Sequence, residues 1–147
     1  MHQLLCPVDF SEVSAAALRY AGEFARSWEA RITVVYAEPF SPPLYFTHAQ
    51  IADLERSFRE SRAQAETVLR SFVAKALGEG VEAVLRIVDA PPAEAIHRVA
   101  TEVAADLIIM GTHGRTGIRR LALGSVAEKV LRESEVPVLT VRGTHRG

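Results

Sequence analysis

The chain has 147 residues, 48% hydrophobic and 24% charged, which is typical of an ordinary globular domain and excludes a disordered or fibrous chain. This length predicts a single domain over residues 1–147, with a core that needs no disulfide or metal support. The 17 Lys and Arg against 18 Asp and Glu give a formal net charge of −1, which excludes the global positive field that attracts nucleic acid or acidic membranes.

The first quarter of the chain predicts a strand, a helix and a second strand. Residues 3–8 (QLLCPV) suit a buried strand in which Cys6 is a small buried hydrophobe, and Asp9-Phe10-Ser11 then suits a helix cap. Residues 31–37 (RITVVYA) are almost continuously apolar, as in a parallel strand covered on both faces. The helix between them is expected to run to about residue 29 and to bury one stripe: Leu18, Ala21, Ala25 and Trp28.

The middle of the chain predicts a long helix and a third strand. Residues 38–47 contain three prolines and are not expected to be regular, whereas residues 48–77 predict a helix that two glycines end. Residues 81–88 return to an extended pattern, and Pro91-Pro92 then opens another helix. The apolar stripe of the long helix is Ile51, Leu54, Phe58, Ala65, Leu69, Phe72 and Ala76.

The last third predicts a strand over residues 106–111, a helix over residues 124–133 and a short strand over residues 137–142 (PVLTVR). The tail from residue 143 onward is expected to be loose. Because strand and helix alternate along the whole chain, the sequence predicts one parallel sheet with helices on both faces.

The N-terminus lacks the charged and apolar regions of a signal peptide, and no apolar run approaches the roughly 18 residues that cross a bilayer. We therefore expect a cytoplasmic protein, with neither a membrane nor a nucleic acid among its partners.

A glycine-rich loop between the fourth strand and fourth helix is the most informative stretch. Residues 110–129 (MGTHGRTGIRRLALGSVAEK) contain the spacing G-x2-G-x9-G-S at Gly111, Gly114, Gly124 and Ser125. A glycine has no Cβ to keep a phosphate away from backbone N–H groups, and the N-terminus of a helix attracts anions. The pattern predicts a phosphate site, although each glycine could instead simply end a strand or start a helix.

Other motifs do not account for this loop. It lacks the lysine of a G-x4-G-K-[ST] P-loop, and no G-x-G-x-x-G follows the first strand. His97 has no second His or Cys at metal-ligand spacing and is expected to be a surface or half-buried histidine. Any one of four cationic side chains could pair with a phosphate, although each could also be solvated. These side chains are His113, Arg115, Arg119 and Arg120.

Three motifs in the same order, PVDFS, G-x2-G-x9-G-S and the closing PVLTV, resemble the ATP-binding branch of the universal stress protein family. The resemblance spans essentially the whole chain. It implies a Rossmann-like fold of the adenine nucleotide alpha-hydrolase type, with a five-stranded parallel sheet of order 3-2-1-4-5. It also implies nucleotide across the carboxyl ends of strands one and four, and a homodimer through the last strand, from Pro137 to Arg142.

The resemblance assigns roles to individual residues of this chain. Pro7, Val8 and Asp9 would line the adenosine side, with the Asp9 carboxylate accepting bonds from adenine or ribose, unless Asp9 is merely the helix cap. Ala37 would offer its backbone to the adenine edge, although the family more often has valine there. The remaining positions would surround the ribose and phosphates: Met110, Gly111, Gly114, Arg115, Gly124, Ser125 and Val126. The family's usual glycine near the end of strand three is missing at residues 89–91, so the rim there is expected to differ.

The function expected from these motifs is a stress or energy-state sensor that binds ATP, ADP or AMP, with any Mg²⁺ held mainly by the phosphates. Residues 112–123 contain no carboxylate to act as a base, so ATP hydrolysis is expected to be slow at most. Two alternatives remain open: an adenylating or nucleotide-hydrolysing enzyme that uses Asp9 or His113, and a dimeric interaction module without nucleotide. The sequence does not identify the downstream protein partner or the inducing stress.

Overall fold

Nine regular elements alternate along the part of the chain that the computed structural model describes, residues 2–114 and 123–143. They are β1 (Gln3–Pro7), α1 (Glu12–Trp28), β2 (Arg31–Ala37), α2 (His48–Leu77), β3 (Ala83–Val88), α3 (Pro92–Glu102), β4 (Leu107–Gly111), α4 (Ser125–Glu133) and β5 (Val138–Val141). Each predicted element is present, and its bounds differ from the prediction by two residues at most.

All five strands pair in parallel, in the order β3-β2-β1-β4-β5. The predicted fold class and strand order are therefore confirmed. Leu4 of β1 pairs with Ile32 of β2 on one side and with Leu107 of β4 on the other, so β1 lies at the centre of the sheet. The chain reverses its winding direction between β1 and β4, which leaves a crevice at their carboxyl ends.

Two hydrophobic cores cover the two faces of the sheet. Helices α1 and α2 pack on one face, where Leu4, Leu18 and Ile109 are fully buried. Helices α3 and α4 pack on the other face around Leu5 and Val99. Because both faces are covered, the strands are nearly continuous apolar runs, as expected for a parallel sheet.

Helix α1 begins and ends at residues whose backbone is not helical. The Ser11 side chain caps its N-terminus by accepting a hydrogen bond from the Ser14 N–H (3.1 Å), and the left-handed Glu29 ends it. The prediction that Trp28 belongs to the buried stripe is wrong, because this side chain is 40% exposed and stacks on Phe24 at 4.6 Å between ring centroids. Trp28 occupies the last turn of α1, where the chain leaves the sheet for the turn into β2.

Helix α2 buries only its C-terminal third, at Leu69, Val73 and Leu77. Its N-terminus is closed by a capping box between Thr47 and Gln50. The first half of the predicted stripe is half-buried rather than buried. At Phe58 it faces the proline-rich segment, where the ring of Phe40 lies 5.0 Å away. None of the helices in the described part of the chain has a stretch long and apolar enough to cross a membrane.

Candidate functional site

A cavity of about 190 Å³ opens at the carboxyl ends of β1 and β4, where the winding of the sheet reverses. All but one of the predicted binding residues line it, and Arg115 lies outside the described residues, as do Arg119, Arg120 and residues 144–147 of the predicted tail. The predicted residues brought together are Pro7, Val8, Asp9, Ala37, Met110, Gly111, Gly114, Gly124, Ser125 and Val126.

The N-terminal wall of the cavity, residues 7–14, is held by hydrogen bonds around Asp9. One carboxylate oxygen of Asp9, Oδ1, accepts from the Ser11 N–H at 3.0 Å, and the Asp9 N–H donates to the Ser14 Oγ at 3.4 Å. The Ser14 hydroxyl in turn donates to the Ser11 carbonyl at 2.9 Å. Since Ser11 is the N-cap of α1, the alternative that Asp9 is merely the helix cap is wrong, and its carboxylate faces the cavity region instead.

The end of β2 forms the side of the cavity next to this wall. Val35, Tyr36 and Ala37 line it, and the Val8 N–H donates to the Val35 carbonyl at 2.9 Å, which extends the pairing of β1 and β2 beyond the strand. After Ala37 the Glu38 N–H donates to the Val88 carbonyl at 2.9 Å. The backbone of Ala37 is therefore fixed at the cavity edge by its pairing with β3, two residues beyond the last pairing of β2 with β1.

The opposite side, which we call the glycine wall, consists of residues 111–114 and 124–127. Its two segments are joined by a hydrogen bond from the Gly124 N–H to the Thr112 carbonyl (2.7 Å), and the Thr112 N–H donates to the Val141 carbonyl of β5 (2.9 Å). The closing strand β5 therefore fixes one end of the glycine-rich loop, and Gly124 fixes the other end to the same residue.

Other protein atoms lie so close to the glycines of this wall that a Cβ atom would collide with them or be crowded. A Cβ on Gly111 would lie 2.6 Å from the Val13 Cγ1, and one on Gly114 would collide with the Asp9 Oδ2. A Cβ on Gly124 would lie 3.1 Å from the His113 Cα and 3.2 Å from the Thr112 carbonyl oxygen. The sequence interpretation assigned these glycines to contact with phosphate, whereas each of them first permits two segments of the protein to approach each other.

Helix α4 points its N-terminus at the cavity through Ser125, Val126 and Ala127. Gly124 stands at the N-cap position, and no side chain caps the helix there, so the first N–H groups of α4 keep their capacity to bind an anion. Beside them, the ring Nδ1 of His113 lies 2.8 Å from the Thr112 Oγ1. This arrangement is suited to a phosphate group.

The structure adds cavity residues that the sequence interpretation missed. Ser14 belongs to the first turn of α1, and Pro92 and Ile96 belong to the first turns of α3. One signal was available, since helices that follow parallel strands begin at the carboxyl edge of the sheet, where the cavity lies. Tyr36 could not be identified in this way, because its neighbours in β2 form one continuous apolar run.

Other polar groups of the chain lie outside this cavity. His97 is half-buried, as predicted, with its Nε2 at 3.8 Å from a Glu133 carboxylate oxygen. Cys6 is fully buried in the core, and this burial raises the pKa of its thiol far above the usual range, as expected for a structural cysteine. Within residues 2–114 and 123–143, no group of three or more His, Cys, Asp or Glu could hold a metal ion.

A second cavity, of about 230 Å³, lies between α2 and β3 and is remote in sequence from the glycine-rich loop. Leu69, Leu85 and Ile87 form its apolar part. Arg62 at its edge lies with its Nε 3.8 Å from a Glu38 carboxylate oxygen. Its charged lining is Arg62, Arg70 and Glu66, and no glycine or helix N-terminus lines it among the described residues, so it lacks the backbone anion-binding groups of the first cavity.

Known proteins resemble this chain over nearly its whole length. The model of the universal stress protein family matches residues 1–142. The universal stress protein MJ0531 of Methanocaldococcus jannaschii is 31% identical over 144 residues, which cover 95% of this chain and 81% of that protein. The solved structure of UspA from Lactobacillus plantarum superposes with a TM-score of 0.76 at 26% identity and covers 96% of this chain and 97% of that one.

Two similar solved structures are described as nucleotide complexes. One is a universal stress protein in complex with cAMP, with a TM-score of 0.72, 26% identity and coverage of 97% of this chain and 98% of that one. The other is the universal stress protein from Archaeoglobus fulgidus in complex with dAMP, with a TM-score of 0.65, 25% identity and coverage of 96% and 97%. The family that the three sequence motifs predicted is thus confirmed: the chain belongs to the universal stress protein family.

Proposed function

We propose that this protein binds an adenine nucleotide, ATP or its relatives ADP and AMP, in the cavity between β1 and β4 and acts as a cytoplasmic stress or energy-state sensor. One observation carries the proposal. Residues from three separate parts of the chain, singled out by sequence motif, line a single cavity at the position where open parallel sheets bind ligands.

The chemistry of the two walls supports an adenine nucleotide as the occupant. Val35, Ile96 and Met110 supply apolar surface suited to a flat base, and the Asp9 carboxylate is an acceptor suited to an amino or hydroxyl group. The uncapped N-terminus of α4 and the Ser125 hydroxyl are suited to phosphate. The cAMP and dAMP complexes of similar proteins give independent support, because both ligands are adenine nucleotides.

The same residues favour a sensor over a fast enzyme. Asp9 is the one carboxylate among the described residues that line the cavity, and residues 112–123 contain none, so no carboxylate base is available near the γ-phosphate and His113 is the candidate base that remains. Any Mg²⁺ would be held mainly by the phosphates. We expect ATP hydrolysis to be slow at most, and binding to change the surface that partner proteins contact.

We further propose that the single domain forms a homodimer through β5 and its flanks, from Pro137 to Arg142. This strand is at the edge of the sheet, and Leu139 in it is exposed, so pairing would cover both its backbone and an apolar side chain. Light scattering at micromolar concentration should give twice the mass of one chain. A monomer mass would contradict the dimer.

The direct test of the proposed function is a calorimetric titration of nucleotide-stripped protein with ATP, ADP and AMP, each with and without Mg²⁺. We expect saturable binding of at least one of them at micromolar concentration. Absence of binding to all three would overturn the proposal and favour a nucleotide-free interaction module. Rapid formation of ADP or of an adenylated product would instead favour an enzyme.

A further inference from the structure

One residue beside the cavity has a backbone conformation that its side chain does not favour. Phe10 has φ 65°, in the left-handed region, although it is an aromatic residue without the freedom of glycine. It stands between Asp9, which lines the cavity, and Ser11, which caps α1. Strain of this kind persists only where surrounding contacts hold it, and those contacts can be identified here.

Two aromatic side chains hold the Phe10 ring. Its centroid lies 4.6 Å from that of Tyr36 in β2, and 5.5 Å from that of Phe72 in α2 in an edge-to-face arrangement. Both distances are typical of favourable aromatic pairs. Phe10 itself does not line the cavity, whereas Tyr36 does. The ring thus connects the N-terminal wall to β2 and α2 without itself lining the cavity.

The left-handed turn at Phe10 determines where Asp9 lies. The chain must pass from the end of β1 at Pro7 to the start of α1 at Glu12 in four residues. Within this turn the Ser11 N–H reaches back to the Asp9 Oδ1, and the Asp9 Oδ2 lies against Gly114 of the glycine wall. If Phe10 relaxed to an ordinary φ, the Ser11 N–H and the Asp9 carboxylate would no longer face each other.

We propose that Phe10 is a positioning residue for nucleotide binding: its ring, lodged against Tyr36 and Phe72, holds the left-handed turn that presents the Asp9 carboxylate to the ligand. This inference rests on the proposed function and adds to it a residue that does not itself contact the ligand. It also predicts that part of the N-terminal wall's affinity for nucleotide depends on α2, through Phe72.

The test uses the full chain with ATP as the probe in calorimetric titrations of four variants. Phe10→Gly removes the ring, and because glycine adopts a positive φ without strain the variant remains folded, but no side chain then holds the turn in one conformation. Phe24→Ala is the matched control, because it removes a ring from the Phe24 and Trp28 stack, which has the same 4.6 Å centroid distance and lies outside the cavity lining. Asp9→Ala, and the double variant that carries both Asp9→Ala and Phe10→Gly, complete a double-mutant cycle.

We expect Phe10→Gly to weaken ATP binding about tenfold, as for a hydrogen bond to a charged group that is no longer preorganised. In the Asp9→Ala background the same change should alter affinity less than about twofold, and Phe24→Ala should leave affinity unchanged. Unaltered affinity in Phe10→Gly would overturn the inference, as would a tenfold loss that persists without Asp9 or that also follows Phe24→Ala.

Failure of the inference and failure of the proposed function give different results. If the unaltered protein does not bind ATP, ADP or AMP, the proposed function fails, and the inference fails with it. If the unaltered protein binds ATP and Asp9→Ala does not weaken binding, the positioning role of Phe10 is overturned while the nucleotide site stands.

Discussion

The segment that follows β1 and the segment that follows β4 line the same cavity, but different atoms hold them in place. In the N-terminal wall, side chains hold the backbone: Ser11, Ser14 and Asp9 exchange four hydrogen bonds within six residues. In the glycine wall, the backbone holds itself, through the bond from the Gly124 N–H to the Thr112 carbonyl. Removing a side-chain group should therefore disturb the N-terminal wall, whereas adding a side-chain group to a glycine should disturb the glycine wall.

The largest effect should come from adding a methyl group to the glycine wall. In Gly111→Ala the new Cβ would lie 2.6 Å from the Val13 Cγ1, and this β-branched side chain in the first turn of α1 has little freedom to move. We expect the free energy of unfolding to fall by about 3 kcal/mol, together with a weaker affinity for nucleotide. Urea denaturation followed by circular dichroism measures the first quantity.

Two further variants check this explanation. In Gly22→Ala the Cβ meets the end of the Leu77 side chain at 3.0 Å and the Arg26 Nη1 at an ordinary 3.7 Å, both of which can shift, so the loss of stability should be much smaller. Val13→Ala introduced with Gly111→Ala should restore most of the lost stability, because it removes the colliding Cγ1. If all three variants are equally unstable, the close approach of Val13 and Gly111 does not determine the stability of this wall.

The next largest effect should come from removing a group from the N-terminal wall. Asp9→Ala should weaken ATP binding by about 10- to 100-fold, because a hydrogen bond to a charged group is lost. Calorimetric titration measures the change. Asp106→Asn, at the opposite end of the sheet, is the matched carboxylate control and should bind ATP normally. Equal weakening in both variants would show that charge, rather than the position of Asp9, matters.

A smaller effect is expected from Ser125→Ala at the N-terminus of α4. The variant removes one neutral donor while the backbone N–H groups of the helix stay in place, so ATP affinity should fall about three- to tenfold. Binding of adenosine, which has no phosphate, should be unchanged. An equal loss for adenosine would place Ser125 at the nucleoside end of the cavity and contradict the assignment of this wall to phosphate.

A smaller, pH-dependent effect on the stability of the fold is expected from Asp106, which lies away from both walls. Hydrogen bonds from the backbone N–H groups of His2 (2.7 Å) and Gln3 (2.9 Å) hold the pKa of its carboxyl below the usual 3.8. A lowered pKa in the folded state stabilises the fold above pH 3.8, and this stabilisation is lost as the pH falls through the folded pKa. The melting temperature of Asp106→Asn should be slightly lower at neutral pH, and the difference should vanish in acid. A constant difference at all pH values would contradict the linkage.

The smallest expected effect is chemical modification of Cys6, next to the N-terminal wall, which should be essentially absent in the folded protein. Its thiol is fully buried and burial raises its pKa, so the reactive thiolate is unavailable in the folded protein. Ellman's reagent should leave Cys6 unmodified under native conditions and modify it completely in denaturant. Rapid reaction of the folded protein would reveal opening of the core behind this wall.

Sequence patterns predicted most of the fold because its strands and helices each follow one periodicity. The runs at β1, β2 and β4 are continuously apolar, which occurs where both faces of a sheet are covered. Trp28 and the first half of the α2 stripe were misassigned for the same reason: periodicity gives the face of a helix but not how far the sheet extends beneath it. That extent depends on where the strands end.

The candidate site was predictable where a residue type is required by geometry and unpredictable where packing selects it. Gly111, Gly114 and Gly124 were identified from their spacing, although their Cβ positions meet protein atoms rather than open space. Ser14, Ile96 and Tyr36 were missed because serine, isoleucine and tyrosine occur in many buried positions without any link to a ligand. Phe10 was missed because no local pattern predicts a positive φ for an aromatic residue.

The most direct test of nucleotide binding between the two walls is a map of backbone amide chemical shifts in the labelled protein as ATP is added. We predict shifts concentrated in both walls of the first cavity, at Asp9, Gly111, Gly124 and Val126, and at Ala37 between them. Leu69 and Leu85 of the second cavity should be unaffected. Shifts that cluster at the second cavity, or none at saturating ATP, would contradict the account.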